Sequence, residues 1–467
     1  MIKILKSDIN SVVLSTESLN IYPLPAGMAD SLSSDEIPVS RDLQEPSGND
    51  ATDDSQGGIA LLSLLVAQRC NLRCSYCFAK AYMGSPSQNR VMSPAVASVA
   101  VERVLENTPA AHSIQFFGGE PLLGFATIKE AVRAAQVYCR VHHKELPAFT
   151  ITTNGILIDR KVVEFFKRHN FSVTISLDGP RHVNDEQRRF PSGKGTFDRV
   201  KSKIDLLRGA GVEMSIEAVF TESHRAHKET IESTYEFLTA LGARDIHLAS
   251  AIGGQPREPV DEDLLARVER TYGASTQRIM DSWLTDSPMN MPSWSDILHT
   301  LLSRKGKTGM CGAGYDKITV DCSGKVFPCH MLMSDSLSMG NVLDAGFPGE
   351  AFRRVASLMR RTSKDSFPKC LKCWAKKLCS PCYGDTFHEY GNLSPPRERT
   401  CIIIRSIVKA IVLKVAEFMS SEEKWEKFRQ SLNREKRRAS TSTSLAPGNR
   451  HSLQKTVKKK EVQNASV

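Results

Sequence analysis

Residues 60–78 read ALLSLLVAQRCNLRCSYCF, an apolar run followed at once by three cysteines. The apolar part, 61–66, predicts a buried strand, because short continuous apolar runs fit strands that are covered on both faces. Cys70, Cys74 and Cys77 then follow with three and two intervening residues. Three thiolates on a short loop can ligate three irons of a [4Fe-4S] cluster and leave the fourth iron free for an exchangeable ligand. The loop would leave the carboxyl end of a strand, where barrel enzymes place their active sites.

The three cysteines taken alone allow other interpretations. A structural zinc site and unpaired buried thiols both remain open for a bare motif of this kind. The chain contains 12 cysteines and lacks the small-residue cleavage site of an export signal, so we expect reduced thiols that ligate metal rather than disulfides. Its apolar stretches are also too short, or too broken by charge, to cross a bilayer. The prediction is a cytoplasmic protein with no membrane partner.

The spacing Cys-x3-Cys-x2-Cys, with the aromatic Tyr76 before the last cysteine, resembles the cluster loop of the radical S-adenosylmethionine superfamily. The resemblance implies a [4Fe-4S] cluster whose open iron binds the amino and carboxylate groups of S-adenosylmethionine. It further implies that an electron from the cluster cleaves the sulfonium, and that the resulting 5'-deoxyadenosyl radical takes a hydrogen atom from the substrate. An electron donor such as flavodoxin or ferredoxin is the implied partner.

Residues 59–250 show short apolar runs that alternate with helical patterns, which is typical of parallel strands joined by right-handed crossovers. Strands are predicted near Leu61–Val66, Ser113–Phe117, Phe149–Thr153, Val173–Leu177, Met214–Phe220 and Ile246–Leu248. Helices predicted between them include Ala95–Glu106, Ile128–His142 and Lys161–His169. Six strands fit the partial (β/α)6 barrel that the resemblance implies for this region.

The rest of the chain divides by composition. Residues 1–27 alternate apolar and polar side chains and predict a small pair of strands, a candidate element for peptide recognition. Residues 28–58 are acidic and rich in Ser and Gly, as linkers are. Further predicted units are bridging helices over 251–310, a separate cysteine-rich domain over 311–401, an amphipathic C-terminal helix over 402–438 and a basic, solvated tail over 439–467. The predicted fold class is α/β: a partial (β/α)6 barrel, then a small irregular iron-sulfur domain and a C-terminal helix.

The net charge of +10 is concentrated at the C-terminus. Residues 421–467 hold twelve Lys or Arg against five Glu, which gives +7 of that total. A charge run of this kind is usually a solvated segment, so we expect no nucleic-acid partner. Binding of an acidic partner by the three consecutive lysines at 458–460 stays open as an alternative.

Short polar motifs follow three later strands of the predicted barrel. These motifs are Gly118-Gly119-Glu120-Pro121, Thr152-Thr153-Asn154-Gly155 and Ser176-Leu177-Asp178-Gly179-Pro180. Each is an ordinary turn signal when taken alone. The resemblance implies that the backbone of Gly118 and Gly119 and the carboxylate of Glu120 receive the methionine amino group. It also implies that Asn154 and Ser176 contact the ribose and sulfonium region.

Arg188, downstream of the third motif, matches an arginine that pairs with the methionine carboxylate in related enzymes. The planar guanidinium suits a carboxylate because it can donate two parallel hydrogen bonds. The adjacent Arg189 is the alternative partner.

Eight of the cysteines lie between residues 311 and 401, in an order that resembles the SPASM extension of radical enzymes that modify peptides. The order is Cys311-x12-Gly324-x4-Cys329, then Cys370-x2-Cys373-x5-Cys379-x2-Cys382, then Cys401. A pair of zinc ribbons fits the two Cys-x2-Cys pairs when these are taken alone. Joined to the N-terminal loop, the order favours iron-sulfur clusters.

The resemblance implies two auxiliary [4Fe-4S] clusters. An outer set of thiols comprises Cys370, Cys373, Cys379 and Cys401, and an inner set comprises Cys311, Cys329 and Cys382. The inner cluster then has three ligands, so either Cys322 completes it or its free iron binds substrate. Two residues separate Cys379 from Cys382, where three is usual, and this departs from the family pattern. Cys139, on a predicted helix, is expected to belong to the core.

His330 is the catalytic candidate. It follows Pro328-Cys329, at the place where anaerobic sulfatase maturases carry an aspartate used as a base. A histidine can titrate near neutral pH and act instead. A hydrogen bond from its ring to cluster sulfur is the alternative role.

These motifs together predict an enzyme that modifies a ribosomally made peptide or protein. The favoured reaction is hydrogen abstraction from a peptide carbon followed by a crosslink, preferably a thioether, with an auxiliary cluster accepting an electron. Formylglycine formation of the sulfatase-maturase type is the nearest rival. A non-catalytic electron-transfer or regulatory protein is the alternative from another class, and the motifs that would bind S-adenosylmethionine argue against it.

Overall fold

The computed structural model of the protein describes residues 2–6, 11–24, 58–79, 90–108, 112–250 and 260–441. The expected linker, apart from residue 58, lies outside these ranges. The expected basic tail lies outside them too, apart from 439–441. Every candidate site residue of the barrel and the cysteine-rich region lies within the described ranges.

Three N-terminal strands form an antiparallel sheet: β1 (Ile2–Lys6), β2 (Ser11–Ser15) and β3 (Ile21–Leu24). The predicted pair was therefore wrong by one strand. β3 is short and contains Pro23, which lacks the backbone N–H and so is typical of an edge strand. A proline of this kind weakens the sequence signal for a strand.

Six parallel strands lie side by side in chain order. They are β4 (Leu61–Ala67), β5 (Ser113–Gly118), β6 (Ala148–Thr153), β7 (Ser172–Ser176), β8 (Met214–Phe220) and β9 (Ile246–Ser250). The predicted α/β class and partial (β/α)6 barrel are confirmed. Because the strands run parallel, the loops that follow them meet at one edge of the sheet.

Helices cover the outer face of this sheet. They are α1 (Pro94–Asn107), α2 (Phe125–Val141), α3 (Arg160–Arg168), α4 (Arg181–Gln187), α5 (Phe197–Gly209), α6 (Glu222–Ala226) and α7 (Ile231–Ala240). Side-chain caps fix several starts: Ser93 accepts a hydrogen bond from the Val96 N–H of α1, and Asp159 accepts one from the Val162 N–H of α3. Such caps satisfy backbone donors that a helix leaves unpaired.

The cysteine-rich region begins on the same sheet. β10 (Lys317–Val320) pairs in parallel with β4, and β11 (Val326–Phe327) pairs antiparallel with β10. The eight strands therefore run in the order β11-β10-β4-β5-β6-β7-β8-β9. We expected a separate domain, but backbone hydrogen bonds join the hairpin to the barrel, and they fix the distance between the two cysteine-bearing regions.

The remaining helices begin with the predicted bridge. They are α8 (Glu262–Val268), which continues through a π turn (Glu269–Gly273) into α9 (Ala274–Ser282), then α10 (Pro292–Ser303), α11 (Glu350–Arg361), α12 (Pro368–Leu371), α13 (Tyr383–Tyr390), α14 (Glu398–Met419) and α15 (Glu422–Thr441). No helix in the described ranges is both long and apolar enough to cross a membrane.

The expected single C-terminal helix is two helices. The helix is interrupted at Ser420-Ser421. The Ser421 hydroxyl accepts a hydrogen bond from the Lys424 N–H and caps α15. α14 packs against the three N-terminal strands, and Lys377 of the cysteine-rich region forms an ion pair with Glu17 beside β2. The N-terminal sheet is therefore in contact with both α14 and the cysteine-rich region.

Gly118, the last residue of β5, lets two strands approach closely. Its φ is +147°, and a Cβ built there would lie 2.4 Å from the carbonyl oxygen of Ala67 on β4. The next residue, Gly119, donates a backbone hydrogen bond of 2.7 Å to that same oxygen. A side chain at 118 would push apart the two strand ends that carry the candidate site.

Replacing Gly118 with alanine should therefore destabilise the protein by about 2–4 kcal/mol, since strain and a backbone clash add. Gly211 is the matched control: its φ is +70°, but a Cβ there would meet nothing within 4 Å. Gly211→Ala should cost only about 1–2 kcal/mol, the backbone term alone. Thermal unfolding of the anaerobically purified variants measures both, and equal losses would contradict the close approach.

Candidate active site

The three-cysteine loop lies along the segment that follows α4. The Arg73 N–H donates to the Arg189 carbonyl at 2.8 Å, and the Ser75 N–H donates to the Gln187 carbonyl at 2.9 Å. Backbone hydrogen bonds of this kind hold the loop whatever side chains it carries. They place Cys74, between these two donors, beside the residue that lies between their acceptors, Arg188.

Asp178 is the centre of a buried network under the loop. It accepts hydrogen bonds from the Tyr76 hydroxyl at 2.7 and 2.9 Å, forms an ion pair of 3.0 Å with Arg188, and accepts the Val219 N–H at 3.0 Å. The Arg188 guanidinium lies 5.5 Å from the centre of the Tyr76 ring. Burial raises the pKa of Tyr76 well above its usual value, so its proton stays on the hydroxyl and is donated.

His224 holds the backbone of Asp178 in place. Its Nδ1 accepts the Thr221 N–H at 3.1 Å, so its Nε2 carries the proton and donates to the Asp178 carbonyl at 2.7 Å. Burial lowers the pKa of His224, which keeps the ring in this neutral form. The side chain of Asn184 completes the support, since its oxygen accepts the Asp178 N–H at 3.3 Å.

Glu120 is fully buried where β5 ends. Its carboxylate accepts hydrogen bonds from the Thr153 hydroxyl at 2.7 Å, the Asn154 N–H at 2.8 Å and the Leu122 N–H at 3.0 Å. Burial raises the pKa of Glu120 to about 7, although these three donors favour the ionised form. A carboxylate offers about four acceptor positions, so one remains for a further donor.

Asn154 connects β6 to the cysteine loop. Its side-chain amide donates to the Asn71 oxygen at 2.8 Å and lies 3.6 Å from the Cys70 sulfur. Its oxygen accepts the Ile156 N–H at 3.1 Å. The observed contacts of Asn154 are thus with the loop itself, while its expected contact with the ribose stays a prediction.

The structure brings the predicted residues of this pocket together. Gly119, Glu120 and Asn154 line the ends of β5 and β6, and Ser176 ends β7, two residues before Asp178. Arg188 is buried against Asp178, while Arg189 is exposed and donates to the Asp185 carbonyl. Of the two arginines, Arg188 is the one at the site, but its observed partner is Asp178. Burial disfavours its charge, yet Asp178 raises its pKa above the usual value.

The cysteines of the C-terminal region separate into two groups. Burial raises the pKa of Cys329 to about 12, and interaction with the thiols of Cys382 and Cys311 adds to this. Burial likewise raises the pKa of Cys379 to about 12, with contributions from Cys401, Cys373 and Cys370. These neighbours match the inner and outer sets, although ligation by each set stays a prediction.

Two other cysteines lie elsewhere. The Cys322 thiol donates to the Leu65 carbonyl at 3.2 Å at the end of β4, and the charged groups that interact with it are Asp321 and Arg90 rather than the inner set. Cys322 is therefore badly placed to complete the inner cluster, because the turn after β10 points it toward β4. Cys139 is buried on α2, as expected.

An aromatic cluster joins the cysteine loop to the C-terminal region. The His330 ring stacks on Phe117 with centroids 4.3 Å apart, and Phe78 lies 5.8 Å from His330 and 6.0 Å from His388. Burial lowers the pKa of His330 to about 3, because the imidazole packs against aromatic rings. Whether His330 acts on substrate stays a prediction.

Sequence reasoning missed two parts of this arrangement. Asp178 was seen only as a turn residue, and its partner Tyr76 lies 102 positions earlier in the chain. His388 carried no motif, yet its Nε2 is buried without a hydrogen-bond partner among the described residues. A histidine six residues after the last cysteine of a Cys-x2-Cys pair was the available signal for His388.

A cavity of about 570 Å³ opens where β8 and β9 end. Its wall includes Thr221, Leu248 and Trp294 from the barrel side, and Cys382 and Tyr390 from the cysteine-rich region. Of the twelve cysteines, all of which are described, Cys382 is the one that is exposed. Cys382 lines the cavity, so one member of the inner set borders space that is large enough for a ligand.

Comparison with known families gives matches to both regions. The model of the radical SAM superfamily matches residues 64–238, and the model of SPASM, an iron-sulfur cluster-binding domain, matches residues 311–374. The cysteine-type anaerobic sulfatase-maturating enzyme of Clostridium perfringens (strain 13 / Type A) is 28% identical over 342 residues, covering 68% of this chain and 87% of that enzyme.

Solved structures share the fold. Native anSMEcpe with bound AdoMet and Cp18Cys peptide superposes with a TM-score of 0.64 at 22% identity, covering 77% of this chain and 99% of that one. Streptococcus suis SuiB bound to the precursor peptide SuiA gives a TM-score of 0.52 at 17% identity, covering 86% of this chain and 100% of that one.

The cysteine loop, the strand-end motifs and these matches define the class: residues 64–238 form a radical SAM domain, and a SPASM domain follows from residue 311. The radical SAM domain binds a [4Fe-4S] cluster and S-adenosylmethionine, and the SPASM domain implies auxiliary iron-sulfur clusters. The donors fit these groups. Three thiols lie on one loop, and burial raises the pKa of Cys70 to about 12, so a bound metal would be needed to hold Cys70 as a thiolate.

Asp178→Asn should loosen the cysteine loop, because it leaves the Arg188 charge buried without an anion, at a cost of about 3–5 kcal/mol. Thermal unfolding and iron content of the anaerobic protein measure the two effects. The control is Asp198→Asn, which breaks the Arg181–Asp198 ion pair on the surface, where the side chains are 57% and 68% exposed. This control should change neither quantity appreciably. Similar behaviour of the two variants would contradict a buried anchor.

Cys329→Ala and Cys322→Ala should separate ligand from bystander. Loss of Cys329 should remove up to about four irons per chain, since an inner-set ligand is missing. Loss of Cys322 should leave iron and acid-labile sulfide unchanged, because its thiol bonds to backbone carbonyls. Equal iron loss from both variants would place Cys322 among the ligands.

Proposed function

We propose that this protein is a maturase that abstracts a hydrogen atom from a ribosomally made peptide or protein and forms a crosslink, with a thioether favoured. The observation that carries the proposal is the cavity of about 570 Å³ at the ends of β8 and β9, whose wall includes Cys382. A space of this size suits a peptide side chain and its neighbours. It also brings that side chain toward the inner set.

When bound, S-adenosylmethionine and the reduced cluster supply a 5'-deoxyadenosyl radical that can take a hydrogen atom from an unactivated carbon. The residues of the chain hold and enclose that chemistry. Cys70, Cys74 and Cys77 would ligate the cluster, and Glu120 has an acceptor position left for the methionine ammonium. Asn154 already donates toward the Cys70 sulfur, a contact that tunes cluster electronics in iron-sulfur proteins.

Arg188 has a narrower role in this proposal. Its ion pair with Asp178 holds Tyr76 and thereby the loop, and its Nε is buried without a hydrogen-bond partner among the described residues. This free N–H can still donate a hydrogen bond to a carboxylate oxygen of the methionine group. Arg188 would then bind the cofactor and support the loop through the same guanidinium.

For a thioether, the balance of the reaction requires an electron acceptor. One hydrogen atom leaves the peptide carbon, one proton leaves the peptide thiol, and one electron must be removed as the C–S bond forms. The inner and outer sets would each hold a cluster able to take that electron. An electron donor such as flavodoxin or ferredoxin would reduce the cluster of the cysteine loop.

The N-terminal sheet is a candidate for peptide capture. Within the described residues β1 and β3 are its edge strands, and the free edge of β1 contains no proline. An extended peptide can add to such an edge through backbone hydrogen bonds, which would accept many sequences. The structure of SuiB with its precursor peptide supports a peptide partner for proteins of this fold.

Formylglycine formation is the second candidate, and the sequence similarity favours it. The sulfatase-maturating enzyme of Clostridium perfringens matches over 87% of its length. The position after Cys329 carries His330, where sulfatase maturases carry an aspartate, and this difference argues for the crosslink. A non-catalytic electron carrier is disfavoured, because it needs neither the buried Glu120 nor a cavity beside the inner set.

The test is anaerobic co-expression of the protein with a small cysteine-bearing peptide encoded beside its gene, followed by intact mass and fragmentation of the peptide. We expect the loss of two hydrogens per site, localised to a pair of residues. The control is the variant with Cys70, Cys74 and Cys77 all changed to alanine, which should leave the peptide unmodified.

The opposite outcome is also defined. An unchanged peptide, together with conversion of a cysteine or serine in a sulfatase-type peptide to an aldehyde, would reject crosslinking in favour of formylglycine formation. Failure of the reduced protein to cleave S-adenosylmethionine at all would favour the non-catalytic alternative.

A further inference from the structure

Lys364 is a lysine almost wholly enclosed by protein, with 1% of its surface exposed. Its ammonium donates three hydrogen bonds to backbone carbonyls: to Lys376 at 2.6 Å, and to Lys307 and Cys379 at 2.7 Å each. All three donors of the group are thus used. The side chain ties the loop that carries Cys379 to the end of the bridging helices.

The charge of Lys364 has no carboxylate to balance it. Three other basic groups around the outer set do have one: Lys369 and Arg405 both pair with Glu398, and Lys376 pairs with Asp365. In the described ranges no carboxylate forms an ion pair with Lys364. A buried cation without an anion is costly, and carbonyl dipoles offset that cost only in part. Burial lowers the pKa of Lys364 to about 8, and the groups that oppose this shift are Cys379 and Cys370 of the outer set.

Lys317 occupies the matching place at the inner set. It is the first residue of β10, whose antiparallel register with β11 pairs Thr319 with Phe327. The Gly314 N–H donates to both the Lys317 carbonyl at 2.8 Å and the Pro328 carbonyl at 3.2 Å, so the chain just before Cys329 lies beside Lys317. The Lys317 N–H also donates to the Gly312 carbonyl at 3.0 Å, which brings the turn after Cys311 alongside.

Lys317 also lacks a carboxylate in an ion pair within the described part of the chain. Burial disfavours its charge, yet the thiols of Cys311, Cys329 and Cys382 raise its pKa above the usual value, with a smaller effect from Asp316. Lys364 is therefore buried and Lys317 half-buried, and each lies near the cysteines of one set. Neither lysine interacts with the cysteines of both sets.

We propose that Lys317 and Lys364 are positioning residues for the inner and outer clusters, and that the fixed positive charge of each balances the thiolates of its own set and raises the reduction potential of its own cluster. A nearby cation favours the state with one more electron, because reduction adds negative charge to the cluster. The two lysines would thus keep both clusters able to accept an electron. This inference depends on the auxiliary clusters and not on which peptide product forms.

The test is a redox titration, followed by electron paramagnetic resonance, of the full-length protein in which Cys70, Cys74 and Cys77 are alanine. Only auxiliary clusters then give a signal. Lys364→Met should make one midpoint potential more negative by at least ~59 mV. For one electron, this shift is a tenfold change in the equilibrium constant of reduction. Lys317→Met should move the other midpoint in the same direction. Lys325→Met, at a lysine paired with Asp335, is the control and should move neither.

Arginine variants separate charge from shape. Lys364→Arg and Lys317→Arg keep the charge and should restore most of the shift caused by methionine. If a methionine variant loses its cluster, iron content decides: retention in the arginine variant supports the proposal, and equal loss in both overturns it. Midpoints that do not move, or that move together for both lysines, overturn it as well. None of these readouts requires turnover, so they are independent of the test of crosslinking.

Discussion

The buried ion pair between Arg188 and Asp178 is the contact on which the site depends. The pair lies where the residues after β7 meet the cysteine loop after β4. Tyr76 joins these two segments, because its hydroxyl donates a hydrogen bond to Asp178. Two isolated charges could not remain here, because their desolvation would exceed their attraction unless hydrogen bonds used the remaining donors and acceptors. Val219 and His224 supply such bonds. The loop is thereby held to three strands rather than to one.

The second constraint is the hairpin that begins the cysteine-rich region. β10 adds to the free edge of β4 in parallel register, so Lys317 lies beside Leu61 and the hairpin cannot move independently of the barrel. His330, just after β11, stacks on Phe117 at the end of β5. One continuous sheet thus sets the position of the inner set relative to the cysteine loop. The cavity that Cys382 faces is a consequence of this fixed geometry.

Each set of thiols also has basic side chains beside it. The outer set lies among basic side chains, most of which are paired with acids, and in the described residues one lysine near each set forms no ion pair with a carboxylate. If each set holds a cluster, as proposed, such an ammonium is an electrostatic bias toward the reduced state that needs no motion. It also accounts for buried cations that packing alone would not tolerate. The relatives with solved structures share the fold. The positions of these charges are observed in this chain.

The sequence by itself determined the class. Alternation of apolar runs and helices predicted parallel strands, because periodicity is a local property, and the resemblance implied their number. The inner and outer sets of thiols also came from the resemblance, and ligation by each set stays a prediction. Only the tertiary structure decided where Asp178, Lys317 and Lys364 act and that Cys322 turns toward β4. These contacts join residues far apart in the chain, and no local pattern records them. The low pKa of His330 belongs with them, since burial is set by what the whole fold packs around a ring.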